Sequence, residues 1–453
     1  MPNATADARG RSTRANVATL GSALPPTKLR RAITGPLLFL FILGDVLGAG
    51  IYALAGVLAG DVGGVLWAPI MLALGLALLT AGSYAELVTK YPKAGGAAVF
   101  AERAFRRPVV SFLVGFSMLA AGVTSAAGLT LAFAGDYLTV FIDVPPIVSA
   151  LVFLALIAAL NARGIRESLG ANVVMTVLEL SGLVLVVVVV AIFVGGGGGD
   201  AARLTTFPEG SVPALAILAA SIVAFYSFVG FEVSANVAEE VRDPARTYPR
   251  ALFGALITAG VLYLLVALAS GIALPSDELA DTSAPLLAVV ESTGAGVPPW
   301  LFSLVALIAV ANGALLTMIM ASRLAFGMAE RGLLPGVLAR VLPRRKTPWV
   351  AIVATTVVAM ILASIGTLEL LAETVVLLLL FVFITVNVAV LVLRRDRVDH
   401  QHFRVWAPIP VLGVASCILL LSQQRAEVWL AGAIMLAISA ILYLVPRAIT
   451  RAR

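Results

Sequence analysis

Asp45, Glu86, Glu179 and Glu232 are four carboxylates set within, or at the ends of, long apolar runs. If those runs cross a bilayer, an acid at mid-helix costs about 2.5–3.5 kcal/mol on insertion scales, so it faces a cavity, finds a partner or takes up a proton. Glu179, in Thr176-Val177-Leu178-Glu179-Leu180-Ser181, has no cation in its own run and is the first candidate for a proton-titrating group. Asp45 is the second. Glu232 is a tempting partner for a cationic substrate. Glu86 stands four residues before Lys90 near the end of its run, which suits an interfacial ion pair or an inner gate.

Two of these acids lie beside interruptions. One run reads Gly44-Asp45-Val46-Leu47-Gly48-Ala49-Gly50-Ile51-Tyr52, and another reads Ala224-Phe225-Tyr226-Ser227-Phe228-Val229-Gly230-Phe231-Glu232. Each mid-helix glycine weakens a helix by roughly 1 kcal/mol. Unwound backbone at membrane depth is tolerated only where it lines a cavity or is buried in protein. A half-helix restarting near Gly50 offers free N–H groups and a positive dipole end to a carboxylate. Unwound carbonyls around Ser227 suit an ammonium group or a cation. The plain alternative, close helix–helix contact through small residues, accounts for glycine spacing taken alone.

The elements that must hold these groups follow from composition. The chain has 453 residues, of which 60% are hydrophobic and 12% charged. Its mean hydropathy is +1.04. Soluble domains carry roughly 25% charged residues, so a soluble reading is excluded. Apolar runs fall at about 33–58, 64–90, 109–139, 144–162, 171–195, 212–238, 249–274, 299–329, 347–365, 369–394, 405–422 and 427–447. They predict twelve transmembrane helices in an all-α membrane protein, numbered here as spans 1 to 12. The period-2 pattern of a membrane β-barrel is absent. The interrupted runs are spans 1 and 6, at matching positions of two five-helix halves, the pattern of an inverted-repeat transporter with a midplane site.

Residues 1–32 read as a basic, disordered tail, 33–447 as one transporter domain and 448–453 as a short second tail. The first apolar run is too long for the core of a signal peptide. Of the 31 Lys and Arg residues, only Arg203 and Arg425 fall in loops on one side, and Arg323 sits near the end of span 8. By the positive-inside rule the basic side, with both termini, is cytoplasmic. The formal charge of +6 is therefore a topology signal rather than a nucleic-acid footprint. The opposite loops are mildly acidic. The long one, about 275–298, contains an apolar stretch at Ala284–Val290 that is either a lid helix or a packed loop. One cysteine and two histidines argue against a disulfide framework or a Cys/His metal site.

Longer motifs join these features. Ser83-Tyr84-Ala85-Glu86-Leu87 is followed by Tyr91-Pro92-Lys93-Ala94-Gly95-Gly96-Ala97. Phe228-Val229-Gly230-Phe231-Glu232 leads into Glu239-Glu240-Val241-Arg242-Asp243-Pro244 and Arg246-Thr247-Tyr248-Pro249-Arg250. Span 8 ends with Ser322-Arg323 and Met328-Ala329-Glu330-Arg331-Gly332-Leu333-Leu334-Pro335. In these segments the chain resembles the amino acid–polyamine–organocation superfamily of permeases, from span 1 to span 11. The resemblance implies a LeuT-type fold, with spans 1–5 and 6–10 as inverted repeats, spans 11–12 added, and spans 1 and 6 discontinuous. It implies amino acid transport by alternating access.

By the same resemblance, Gly48, Ala49, Gly50 and Ile51 meet the substrate carboxylate. Tyr226, Ser227, Val229 and Gly230 meet its amino group. Phe225, Phe228 and Phe231 form a gate or pocket wall. Glu86, Gly95, Gly96, Glu240 and Arg323 belong to a cytoplasmic gate. Many proton-coupled relatives have a lysine near Glu179, where it stands in for a sodium ion. A carboxylate there carries a proton itself or joins Asp45 in holding a cation. The expected function is a plasma-membrane permease taking an amino acid with protons rather than sodium, without a cofactor or metal. Obligate exchange and a non-transporting amino acid sensor remain the alternatives. An intramembrane enzyme lacks the motifs, and neither the substrate side chain nor the oligomeric state is legible.

Overall fold

The computed structural model describes residues 31–48, 50–93, 95–163, 168–343, 345 and 347–451, with the side chains of 168–171 and 444–451 outside the description. Ala49 and residues 1–30 of the basic tail therefore lie outside the described residues. The architecture is all-helical. In chain order the helices are α1 (Gly35–Leu47), α2 (Gly50–Val62), α3 (Trp67–Lys90), α4 (Gly96–Phe105), α5 (Pro108–Phe133), α6 (Asp136–Thr139), α7 (Pro146–Arg163), α8 (Ser168–Gly195) and α9 (Pro213–Tyr226). There follow α10 (Pro244–Ala273), α11 (Ser276–Ala280), α12 (Pro285–Ser292), α13 (Pro299–Glu330), α14 (Trp349–Ile365), α15 (Leu368–Leu393), α16 (Pro408–Leu421) and α17 (Ala426–Arg451). A 3-10 segment, Phe231–Glu240, connects α9 to α10.

Proline opens many of them, because its missing N–H falls where no intrahelical acceptor exists. Ten candidate spans among the described residues are long and apolar enough to cross a membrane, so the protein is multi-pass. Two more of the expected runs are helical but shorter: Trp349–Ile365, with 17 residues, and Pro408–Leu421, with 14. The second is about 21 Å long at 1.5 Å per residue, less than a ~30 Å hydrocarbon core. It starts at Pro408 rather than at the expected 405, and the Val405 N–H before it donates to Glu86. The last helix instead runs past 447, to Arg451.

The bundle core is where α3, α5, α10, α13 and α15 pack, through small residues that let backbones approach. Gly122 of α5 faces Ala321 and Thr317 of α13, and Gly115 faces Met328. Large aliphatics such as Ile192, Ile365 and Leu430 are exposed on the outside, as a lipid-facing surface requires.

At the basic end, α3 is clasped to α15 and the segment that follows it. Glu86 is paired with Arg394 by two hydrogen bonds, of 3.2 and 3.0 Å, and also accepts from the Val405 N–H at 3.0 Å. Lys90, four residues on, donates instead to the Leu393 carbonyl at 2.7 Å. The ion pair expected of Glu86 therefore forms across helices rather than along α3, because Arg394 reaches the buried carboxylate as a fork while Lys90 caps a helix end. Tyr91 and Arg103 both bond to Asp396, and they hold its carboxyl below the usual carboxylate range. Removing one partner of a buried pair leaves an uncompensated charge, a loss of ~3–5 kcal/mol. Glu86→Gln is expected to lower the melting temperature of the detergent-solubilised protein well below that of Glu102→Gln, a control on the exposed face of α4; equal melting curves would contradict it.

At the far end the long loop is helical and packed inward. Leu286, Leu287, Val289 and Val290 of α12 are buried. A Cβ on Gly56 of α2 would fall 2.6 Å from the Leu279 carbonyl oxygen in α11, so only glycine permits this contact. Asp136 accepts from the Ser283 N–H at 2.9 Å and the Thr282 hydroxyl at 3.0 Å, tying the loop to the end of α5–α6.

Candidate functional site

Spans 1 and 6 are both interrupted, and the interruptions touch. The first span stops at Leu47 and restarts at Gly50, with Gly48 between in a non-helical conformation (φ −22°, ψ −171°). The sixth stops at Tyr226, turns through Ser227–Gly230 and continues as the 3-10 segment. A Cβ on Gly50 would lie 2.7 Å from the Cα of Ser227. Gly230 has φ +125°, and a Cβ there would lie 2.7 Å from the Asp45 carbonyl oxygen. These two glycines are what allow the four half-helices to meet.

The groups released by the breaks are only partly reclaimed. The Tyr263 hydroxyl of α10 sits 2.6 Å from the Val46 carbonyl and 3.1 Å from the Ser227 carbonyl, so one side chain from a neighbouring helix serves both breaks. The Tyr226 carbonyl accepts from the Val229 N–H at 3.0 Å. The N–H groups that open α2 have no preceding turn to bond. Ser227 Oγ is buried with no hydrogen-bond partner.

Beside the breaks lies a buried polar cluster from α1, α8 and α13. Asn312 donates to Glu179 Oε1 at 3.0 Å and lies 3.4 Å from Asn172 Oδ1. Glu179 Oε2, Asp45 Oδ2 and Asn172 Nδ2 are buried without partners. Glu232 Oε2 accepts from the Gly230 N–H at 2.9 Å, and a Cβ on Gly230 would fall 3.2 Å from Asp45 Cγ. The carboxyl groups of Asp45 and Glu232 therefore flank the same glycine.

A cavity of about 480 Å³ runs from the breaks toward the basic end of the bundle. Its walls are one stripe of α5 and one of α13, closed by the span 1 break, the span 6 break and the 3-10 segment. Asp45, Gly48, Gly50, Tyr226, Ser227, Val229, Gly230 and Glu232 line it at the breaks, and Gly95, Glu240 and Arg323 line it toward the basic end. Tyr226 is held by a hydrogen bond of 2.9 Å between its hydroxyl and Ser125.

The chain matches the model of the family described as "Amino acid permease" over residues 36–446. It belongs to that family. Among its relatives, an uncharacterized transporter of Mycobacterium tuberculosis is 32% identical over 435 residues, covering 94% of this chain and 93% of that protein. The branched-chain amino acid permease BcaP of Bacillus subtilis is 24% identical, covering 87% of this chain and 88% of the relative. The methylthioribose transporter of the same organism is 25% identical, covering 94% and 95%.

In this family member, the expected site residues separate by their place relative to the cavity. Eleven of them line the cavity, as above. Ile51 and Glu179 are buried just behind its wall, outside the lining. Phe225, Phe228 and Phe231 turn away from it. Phe225 and Phe231 pack on Phe383, Phe231 also on Tyr84, and Phe228 packs on Tyr263. They form core around the break, and the aromatic ring facing the cavity is Tyr226. Glu86 also stands apart, in the α3–α15 clasp. Gly96 packs beside Asn236 of the 3-10 segment, behind Gly95. Residue-type reasoning missed Ser125, Tyr263 and Asn312. Each is a polar side chain inside an apolar run, which was the available signal, but their partners lie 36 to 217 positions away in sequence.

Proposed function

We propose that this protein is a secondary transporter that carries an amino acid across the membrane by alternating access, in symport with protons. The observation that carries the reading is the contact of the two helix breaks at the head of a cavity. A zwitterion needs donors for its carboxylate and acceptors for its ammonium group within one small volume. The N–H groups opening α2 supply the first, and the carbonyls of the Tyr226–Gly230 turn, with Ser227 Oγ, supply the second. On this reading Gly48, Ala49, Gly50 and Ile51 meet the carboxylate, and Tyr226, Ser227, Val229 and Gly230 meet the amine.

All twelve apolar runs cross the bilayer in this proposal, with spans 1–5 and 6–10 as inverted repeats and both termini in the cytoplasm of a plasma membrane. Two breaks five spans apart support that arrangement. The cavity then opens to the cytoplasm. Glu240 and Arg323 line its mouth from opposite elements, with no ion pair between them. Their pairing on closure, with movement about Gly95 (φ +117°) and Gly96 (φ +48°), forms the inner gate. The coupling group is Glu179, with Asp45 and Glu232 as the acids nearest the break.

The test is reconstitution into proteoliposomes under an imposed proton gradient. One charge crossing 100 mV contributes ~2.3 kcal/mol, enough for tens-fold accumulation per proton. Amino acid accumulation that collapses with a protonophore is the expected result. Uptake that appears only with amino acid inside, at any pH, would make the protein an exchanger, and binding without flux would make it a sensor.

A further inference from the structure

Three aromatic rings stand on the far-end side of the first break. Tyr52 follows Gly50 by two residues in α2, Tyr137 belongs to α6, and Phe302 lies in the first turn of α13. Each is fully buried and none lines the cavity, so water reaches these rings from neither side. Tyr52 and Tyr137 both pack on Phe302, with ring centroids 6.4 and 6.5 Å apart.

The two tyrosine hydroxyls tie this cluster to its neighbours. Tyr137 Oη donates to the Tyr52 carbonyl at 2.9 Å, and Tyr52 Oη donates to the Glu179 carbonyl of α8 at 2.7 Å. Glycine makes the room on α8, since a Cβ on Gly182 would lie 2.5 Å from Tyr52 Oη and 2.7 Å from Val305 Cγ1 of α13. Helix α12 packs over α2, α8 and α13 together. The half-helix α2 is thus pinned to α6, α8 and α13 just beyond the break. Tyr52 belongs to the break as well, because its own N–H is among the first four of α2, which have no preceding turn to bond.

From this arrangement we infer that Tyr52 is the outer latch of the transport cycle: its hydroxyl holds α2 on α8 while the cavity is open to the cytoplasm, and releases the Glu179 carbonyl before the breaks can be reached from outside. The inference rests on the transport reading above, which assigns an inner gate and leaves the outer barrier without residues. Alternating access requires that barrier to open, and a half-helix that carries site donors at one end and a buried seal beside them links the two. The hydroxyl bonds to protein in the shut state and to water in the open one. Phenylalanine in its place therefore weakens the shut state selectively, and a shift of population follows from that difference alone. Tyr52 acts as a positioning residue, with Tyr137 holding it from the other side.

Thiol labelling from each face of the membrane tests this, in a Cys417→Ala background that removes the one native cysteine. Ala59→Cys reports on the outer side, since Ala59 is buried two turns beyond Tyr52 on the same face of α2. Met320→Cys reports on the cavity, which Met320 lines three residues before Arg323. A charged, membrane-impermeant maleimide is applied to whole cells for the first and to inside-out vesicles for the second. Tyr52→Phe is expected to raise the labelling rate of Ala59→Cys ~5-fold and to lower that of Met320→Cys, on the scale of one buried hydrogen bond. Tyr137→Phe, which removes only the bond to the Tyr52 carbonyl, is expected to shift both rates in the same directions. A latch moves the two reporters oppositely, whereas a loosened fold raises both. Both rates rising, or neither changing, in variants that keep their melting curves overturns the inference and leaves transport intact. Labelling of Met320→Cys in whole cells instead of vesicles, without either tyrosine change, would overturn the orientation of the cavity and the inference with it. If the unsubstituted protein neither binds nor moves an amino acid, the transport reading and this inference fall together.

Discussion

Leucine in place of Gly48 is expected to abolish uptake while the protein still inserts and keeps its melting temperature within a few degrees. Gly48 lines the cavity at the α1–α2 break. The atoms nearest to a Cβ there are the Asp45 carbonyl oxygen at 3.4 Å and Gly313 Cα at 4.0 Å, both ordinary contact distances. Alanine therefore fits, and Gly48→Ala serves as the tolerant control. A leucine side chain continues beyond that point into the space between the breaks and α13, where the head group of a substrate is proposed to sit. The expected loss exceeds ~100-fold in uptake rate, because a zwitterion displaced from both sets of backbone groups loses several hydrogen bonds to charged atoms, worth ~1.5–3 kcal/mol each. The readouts are uptake into proteoliposomes and a thermal melt of the same preparation. Normal uptake by the leucine variant would remove the substrate from the break.

Glu179→Gln is the second large effect expected, and it concerns coupling rather than binding. Glu179 is buried behind the cavity wall, with Asn312 donating to one oxygen and no partner at the other. Glutamine keeps the oxygen that accepts from Asn312 but cannot gain or lose a proton. Its amide nitrogen takes the place of the already unpartnered oxygen, so no further buried group loses a partner and the fold is expected to hold. If Glu179 carries the coupled proton, transport by the variant becomes insensitive to external pH and to an imposed proton gradient. Amino acid binding, followed by thermal stabilisation, stays close to that of the parent. Exchange of internal for external amino acid persists even where net accumulation is lost. A pH profile identical to the parent's moves the proton to the Asp45–Glu232 pair beside Gly230, for which Asp45→Asn is the matching variant.

These two expectations differ in how far they were visible in the sequence. The break at Gly48 was legible because glycines at 44, 48 and 50 are conspicuous in an otherwise apolar helix, and helix propensity is a local property. Glu179 stood out for the same reason, as a lone acid in an apolar run. The role of Asn312 was not legible, since it comes from α13, 133 positions along the chain. The aromatic trio around Gly230 also illustrates the limit. Phe225, Phe228 and Phe231 looked like a gate because of their place in the break, but their rings pack against Phe383, Tyr84 and Tyr263, and the neighbouring Tyr226 faces the cavity. A break destroys the 3.6-residue period that would say which side chain faces where.

What the sequence determined by itself was the class of protein and the location of its interruptions. Both follow from solvation: apolar runs of this length must satisfy their backbone polar groups internally as helices, and glycines, prolines and acids mark where they fail to do so. Which residues meet was decided only by tertiary packing. That Gly50 touches Ser227, that Tyr263 serves both breaks, that Glu86 takes Arg394 instead of its sequence neighbour Lys90, and that Ser125 of α5 bonds the Tyr226 hydroxyl at the cavity wall all depend on helix order and rotation. In a chain that is apolar nearly all round, hydrophobic periodicity carries almost no information about rotation, because lipid-facing and core-facing positions use the same side chains.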